Sequence, residues 1–344
     1  MTSRVAYWLA PALMGLGATV AVAVEPNWGD WAEAARKAHP LAGDYYAVTP
    51  LGGGPGRGRY PPSHRGPALR KEPDQRPYIV VLGEVHDNPA HHQVRAWLIA
   101  NTAKMYPEWH PAIVFEQIAT DRQAALDKFN AQVQAGDASA TADELLRLLD
   151  WDKSGWPPAN IYKPLFAAAI AAKLPIYAGD PPRDVLRSVA KGDMAPVPPE
   201  ERARLRLDRT MPASLREALG RDLAESHCGA LPPESADGMV AAQRYHDARL
   251  ADAVLAAAER YGSAILIAGN GHVRTDRGVP WHIRERAPQA KVASVMLLEV
   301  EAGKTDPGSY VPRDPEGDPA VDALIFTPRA ERSDPCQSLL TNKG

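Results

Sequence analysis

The chain has 344 residues, with Lys+Arg 39 against Asp+Glu 42 and a formal net charge of −3. At roughly 150 residues per domain, that length allows two domains or one large α/β unit. Hydrophobic residues at 45% and charged residues at 24% exclude wholesale disorder, and the near-neutral balance argues against a nucleic-acid partner, which asks for a basic stripe. Cys228 and Cys336 are the two cysteines. So few exclude a disulfide scaffold, a four-cysteine zinc site and a cysteine-ligated iron–sulfur cluster. Cys-x-x-Cys-His is absent, so covalent c-type haem attachment is excluded too.

In chain order, Val5 to Val24 carries no charged residue and follows a short n-region with one positive charge, Arg4. Ala21-Val22-Ala23 fits the small-x-small cleavage pattern, so residues 1–23 read as a secretory signal peptide. An uncleaved anchor is the competing reading, since such a run is long enough to span a bilayer. Gly15, Gly17 and the cleavage site favour removal. No cysteine follows the run, so this is not a lipoprotein signal. The mature protein is expected to be secreted or periplasmic, with no membrane span. There Cys228 and Cys336 either pair or remain two buried thiols.

Residues 24–51 form a lead-in with aromatic anchors at Trp28, Trp31, Tyr45 and Tyr46. Residues 52–75, rich in Gly, Pro and Arg, read as a flexible insertion or linker. A domain over 76–300 follows, then a C-terminal extension over 301–344. Tyr78 to Leu82 is a continuous apolar run that suits a strand buried on both faces. Ala112 to Phe115, Pro175 to Ala178, Ala264 to Ala268 and Lys291 to Val300 are four more. Helical patterns at His91 to Met105, Arg122 to Val133, Leu145 to Leu149 and Pro164 to Lys173 separate the strands, and a longer helical block near 185–261 precedes the fourth. The alternation predicts an α/β fold, a mainly parallel sheet flanked by helices.

The segments after the strands are chemically unusual. They are Gly83-Glu84-Val85-His86-Asp87-Asn88, then Glu116-Gln117, then Gly179-Asp180-Pro181-Pro182-Arg183, then Gly269-Asn270-Gly271-His272-Val273-Arg274. Ligands of open parallel sheets bind outside the carboxyl ends of the strands, so these segments are expected to converge on one site. Gly-x-x-His occurs twice, at Gly83–His86 and Gly269–His272. Glycine permits a tight turn or a close approach, and a neutral imidazole can ligate a metal or move a proton. Glu84 and Glu116 can be ligands or partners of those histidines.

His91 and His92 open the first crossover helix and lie about 100° apart on it, so at most one is expected to face inward. On the helix near 236–259, Val240, Gln243, Asp247, Leu250, Val254 and Ala257 trace one face. Gln243 and Asp247 interrupt it, and buried polar groups need partners: a site histidine or a structural network. His246 lies off that face and is expected in solvent. His227-Cys228 can be read as a metal ligand pair or a dyad, although a thiol nucleophile is exposed to oxidation in a secreted protein. Trp151, Trp156 and Tyr162 can line an apolar pocket that suits a flat ring such as haem, or simply pack under a loop.

Together these segments resemble the ChaN-like haem-binding uptake proteins of the Tiki superfamily. The resemblance runs over roughly residues 39–300: Leu82 to Asn88 with His91-His92, Phe115-Glu116, Trp151 to Trp156, His227 to Pro232, Met239 to Arg244, Ala268 to Arg274 and Gly278 to Pro280. It implies a ChaN- and erythromycin-esterase-like fold and an exported role in haem or iron acquisition. Glu84, His86, His91, Glu116, His227, Gln243, Asp247 and His272 are the implied binding residues. The alternative is a metal-dependent hydrolase, peptidase- or esterase-like, in which His86, His272 and Glu116 hold zinc, manganese or iron to activate water. A scaffold that has lost its ligand is a third reading, and a homodimer is left open. The chain departs from lipoprotein members in lacking a lipid-attachment cysteine, and it carries the 52–75 insertion.

Overall fold

The computed structural model describes residues 28–48, 56–59, 78–105, 109–229, 232, 235–333 and 336. The signal-peptide reading and most of the 52–75 insertion lie outside them.

The chain opens with α1 (Trp28–Ala38), β1 (Asp44–Ala47) and β2 (Gly56–Arg59). The α/β core follows as β3 (Tyr78–Leu82), α2 (Pro89–Met105), β4 (Ala112–Ala119), α3 (Gln123–Ala135), α4 (Ala142–Leu148), α5 (Ala159–Ala171) and β5 (Ile176–Asp180). The helical block resolves into α6 (Arg183–Ala190), α7 (Pro199–Arg204), α8 (Ala213–Ser226) and the long α9 (Ala236–Tyr261). Then come β6 (Ser263–Ile267), α10 (Asn270–Val273), α11 (Val279–Arg286), β7 (Lys291–Glu299) and β8 (Ala323–Thr327).

One eight-stranded sheet has the order β2-β1-β8-β7-β3-β6-β4-β5. The six strands from β8 to β5 are parallel, and β1 and β2 add antiparallel at one edge. The sheet is therefore mainly parallel, as the five apolar runs imply. Composition alone hid three strands. Asp44–Ala47 lies in the lead-in, Gly56–Arg59 in the insertion, and Ala323–Thr327 in the stretch read as a C-terminal extension. Residues 323–327 are thus part of the sheet rather than an appendage.

Successive strand residues point to opposite faces, and the core divides accordingly. Val80, Leu82, Phe115 and Ile267 pack with α2, α3, α4 and α5 through Val94, Leu126, Leu145 and Phe166. Val81, Val114 and Leu266 pack on the other face against α9 and α11 through Leu250, Val254 and Ile283. A helix layer on each face keeps long stretches of the central strands apolar on both sides, which is why these segments read as runs and not as alternations. On its far side α9 also packs against α6, through Tyr245, Ala248 and Val189.

A disulfide joins Cys228 to Cys336, 108 residues apart, so the pairing left open by the sequence is made. Arg332 pairs with both Asp87 and Glu299. The C-terminal segment is thereby strapped across the end of β7 and the loop after β3.

Candidate functional site

The carboxyl edges of β3, β4, β5 and β6 bring together Glu84 and His86, Glu116, Asp180, and His272. Glu116 and Gln117 lie inside β4, not after it. β4 continues to Ala119 because its register against β5 shifts between Phe115 and Ala119. Such an irregularity bends the strand and re-aims side chains. Gln117 turns towards the α2–α5 face and Glu116 towards α9.

On the α2–α5 face the hub is Glu84, 2% exposed. Its Oε1 accepts from Tyr162 Oη at 2.6 Å and Gln117 Nε2 at 3.1 Å, and lies 2.5 Å from His86 Nδ1. The Arg95 guanidinium, wholly buried, pairs with its Oε2. Burial lowers the Arg95 pKa to about 10, still high enough to keep the guanidinium charged. With its Nδ1–H given to Glu84, His86 keeps Nε2 as a lone-pair donor. Burial lowers its pKa and outweighs the Glu116 carboxylate, so the ring is neutral at pH 7. Its side chain is 38% exposed, and the ring meets Trp156 edge-on with centroids 4.9 Å apart. Nε2 passes close over Gly269, where a Cβ would approach within 2.8 Å. That close approach is the reason for glycine at the second Gly-x-x-His.

On the α9 face, Glu116 Oε2 accepts from Gly269 N at 2.6 Å, and Oε1 lies 3.3 Å from His272 Nε2. The other nitrogen of His272 donates to Asp247 Oδ1 at 2.7 Å, with Gln243 Nε2 3.2 Å away. Burial opposes charge on His272, but Glu116 and Asp247 outweigh it and hold its pKa well above the usual histidine value. Burial likewise opposes charge on Glu116, yet His272 holds this carboxyl below the usual range. Gln243 and Asp247 therefore serve a site histidine, one of the two roles the helix pattern allowed.

Two histidines depart from expectation. His246 is not solvated. Its side chain is 13% exposed, Nε2 lies 3.1 Å from Asp180 Oδ1, and its ring stacks edge-on with His272 at 4.5 Å. The physical reason is that α9 is covered on two sides, by the sheet and by α6, so a residue off the sheet-facing stripe is still enclosed. His91 and His92 are both buried, although one inward residue was expected. α2 sits between β8 and α5, so both directions are interior. His91 Nδ1 accepts from Val85 N at 2.8 Å while Nε2 lies 2.8 Å from Thr327 Oγ1. His92 Nε2 donates to His86 O at 2.8 Å, and its Nδ1 is 2.7 Å from Arg95. With both nitrogens used, neither offers a ligand atom; they fix the loop that carries His86.

His227 caps α8, where Nδ1 meets Leu223 O at 2.7 Å beside the disulfide, and its described hydrogen bonds do not reach the cluster. His86 likewise stands outside the tightest ligand set. Glu116, His246 and His272 are the residues whose donor atoms lie within 4.8 Å of one another. Arg95 went unremarked in the sequence. Its signal was a charge three residues after His92, next to Val94 of the buried stripe.

Beside His86 a cleft of about 160 Å³ is lined by Ile118, Leu149, Trp156, Asp180, Arg122 and Arg183, among others. A larger cavity of about 800 Å³ opens at the amino ends of the strands, near His110, Arg260 and Arg286. Arg286 there pairs with Asp252 and Arg260 bonds Tyr177, and the His/Glu group close enough to hold a metal among the described residues lies at the other edge. The chemistry collects at the smaller opening.

Fold and site define an α/β protein with two imidazole–carboxylate sets at the carboxyl edge of a mainly parallel sheet. The chain belongs to the haem-binding uptake family of the Tiki superfamily, ChaN, whose model matches residues 75–283. Among solved structures it is similar to one described as cofacial haem binding to ChaN of Campylobacter jejuni. The identity is 21%, the match covers 73% of this chain and 87% of that one, and the TM-score is 0.54. A mutant of the erythromycin esterase EreC in its open conformation matches at 16% identity over 77% of this chain and 80% of the other, with a TM-score of 0.35. No curated protein matches the sequence. Among the described residues no helix is long and apolar enough to cross a membrane.

Proposed function

We propose that this protein binds haem at the cleft beside His86, that His86 Nε2 would hold its iron, and that it serves haem-iron uptake outside the cytoplasm. Family membership supports haem as the ligand class. The observation that carries the position is the state of His86: neutral, half-exposed, oriented by Glu84 through Nδ1, with no hydrogen bond on Nε2 among the described residues. The surroundings fit the group. Trp156, Ile118 and Leu149 offer apolar surface for a flat ring, and Arg122 and Arg183 offer cations for its carboxylates. The cleft is smaller than the roughly 300–1,000 Å³ of enclosing sites, so it would take only part of a haem and leave the rest outside. When bound, haem would supply an iron that accepts a nitrogen donor. The protein's own part is to hold that nitrogen unprotonated and aimed. Glu84, tethered by Arg95, Tyr162 and Gln117, does this, as partners of ligating histidines generally do.

Export is supported by the signal-like N-terminus and by the Cys228–Cys336 bond, since disulfides persist in oxidising compartments.

The test is a haem titration of purified mature protein, followed by its Soret band. His86→Ala is expected to lower affinity at least tenfold, in keeping with roughly 10–100-fold for loss of a ligand's partner alone, while the fold stays intact. Gly269→Ala is expected to weaken binding in the same direction by displacing the ring. An unchanged Soret position and affinity in His86→Ala overturns the assignment.

A further inference from the structure

We propose that Arg122 and Arg183 select for a ligand with two carboxylates, by holding residues 151–158 closed against His86 until those acids take the two guanidinia as partners. This rests on the porphyrin reading above and names what governs entry to the same site.

Residues 151–158 join α4 to α5 and close at their own base. Trp151 is buried, with its ring 4.8 Å from Tyr162 and 5.5 Å from Phe166, and its Nε1 donates to Pro157 O at 3.0 Å. Between these anchors Asp152, Lys153 and Gly155 are exposed. The backbone takes left-handed φ values of 50° at Asp150 and 80° at Gly155, so the tip turns where glycine carries no steric cost. Trp156, next along, meets the His86 ring edge-on with centroids 4.9 Å apart. The tip therefore stands against the nitrogen donor.

Two cations hold this segment. Arg183, the first residue of α6, donates to Ser154 O. Among the described hydrogen bonds it is the one that ties residues 152–156 to anything outside 150–158. Arg122 Nη2 lies 3.2 Å from Asp150 Oδ2, with both side chains exposed. Both arginines also line the cleft. Neither hold is strong. Exposed ion pairs contribute little, and Arg183 has a neutral carbonyl where a carboxylate would bond it roughly twice as strongly. Asp121 and Asp180 also line the cleft, but Asp180 faces His246 at 3.1 Å, and neither pairs with these arginines among the described ion pairs. An entering acid therefore outcompetes Ser154 O and frees the tip from His86. Two acids on one rigid ring loosen both holds together. A neutral ring has no such exchange to offer, so it meets only the open fraction of the protein and loses apparent affinity by that fraction.

The experiment compares metal-free protoporphyrin IX with the same porphyrin carrying both acids as neutral glycol esters, in stopped-flow and equilibrium fluorescence titrations of the mature protein. The free acid is expected to bind wild type at least about tenfold more tightly than the ester, as charge-assisted bonds imply. Arg122→Ala with Arg183→Ala should reduce that ratio to roughly twofold or less, and should speed association of the ester at least about threefold, because the latch is gone. Arg183→Ala alone should move both in the same direction by less. Arginines that merely pair with acids would leave the ester's rate unchanged. An ester rate that is unchanged or slower in the double variant, or equal affinities of acid and ester for wild type, overturns the proposal. The metal-free ring needs no nitrogen donor. Acid and ester behaving as expected while His86→Ala leaves haem affinity unchanged therefore overturns the assignment of His86 alone, and a wild type that binds neither porphyrin overturns both.

Discussion

Consider Arg95→Met, which removes a guanidinium from the interior while keeping its bulk. Arg95 is fully buried and pairs with Glu84, which is 2% exposed. Breaking a buried pair by deleting one partner costs roughly 3–5 kcal/mol, because a charge is left without compensation. Here the loss should fall near the lower end, about 3 kcal/mol. Glu84 keeps Tyr162 at 2.6 Å, Gln117 at 3.1 Å and His86 at 2.5 Å as donors, and hydrogen bonds to a charged group contribute roughly 1.5–3 kcal/mol each. Adding Glu84→Gln to Arg95→Met should recover at least about 1 kcal/mol, since the uncompensated charge is then gone. The sign with pH is also fixed. Losing Arg95 removes the cation that favours the charged form of Glu84, so this carboxyl titrates higher in the variant than in wild type. The deficit of Arg95→Met relative to wild type is therefore larger at pH 8 than at pH 5. Urea unfolding of wild type, both single variants and the double at the two pH values measures all of this. A loss below about 1 kcal/mol for Arg95→Met, or strict additivity in the double, refutes the view that this pair anchors the loop bearing His86.

Two further outcomes follow from the same structure. Cys228→Ser with Cys336→Ser opens a loop of 108 residues. Chain entropy puts the loss at up to about 5 kcal/mol, read as a lower Tm that matches wild type under dithiol; a Tm unchanged by either treatment contradicts the strap. Acid should destabilise the fold through His91, His92 and His282, whose pKa values burial lowers to about 3, 4 and 3. Their stabilising effect is present above the unfolded value near 6.5 and is lost as pH falls. At pH 5 that is about 2 kcal/mol per residue, or about 6 together. His272, with its raised pKa, contributes in the opposite sense over the same interval. Denaturant midpoints from pH 7.5 to 5 test this, and a flat profile is the contrary result.

The sequence by itself determined the central sheet. Tyr78–Leu82 and Ser263–Ile267 are strands buried on both faces, and an apolar run needs no partner to be recognised. It also determined the chemical identity of the strand-end loops and the sheet-facing stripe of α9, because helical periodicity is a local property. Only the tertiary structure decided who meets whom. β1 and β8 pair as neighbours although about 280 residues separate them, and nothing in a four- or five-residue strand announces its partner. His246 joined the site because α6 covers the flank of α9 that periodicity assigns to water. His91 and His92 became loop anchors because β8 and α5 close over both sides of α2. Arg95 fell beneath Glu84, where two charges tolerate burial only as a pair. Local pattern reports which residues leave water; the packing of one layer on another fixes which polar groups they must then find.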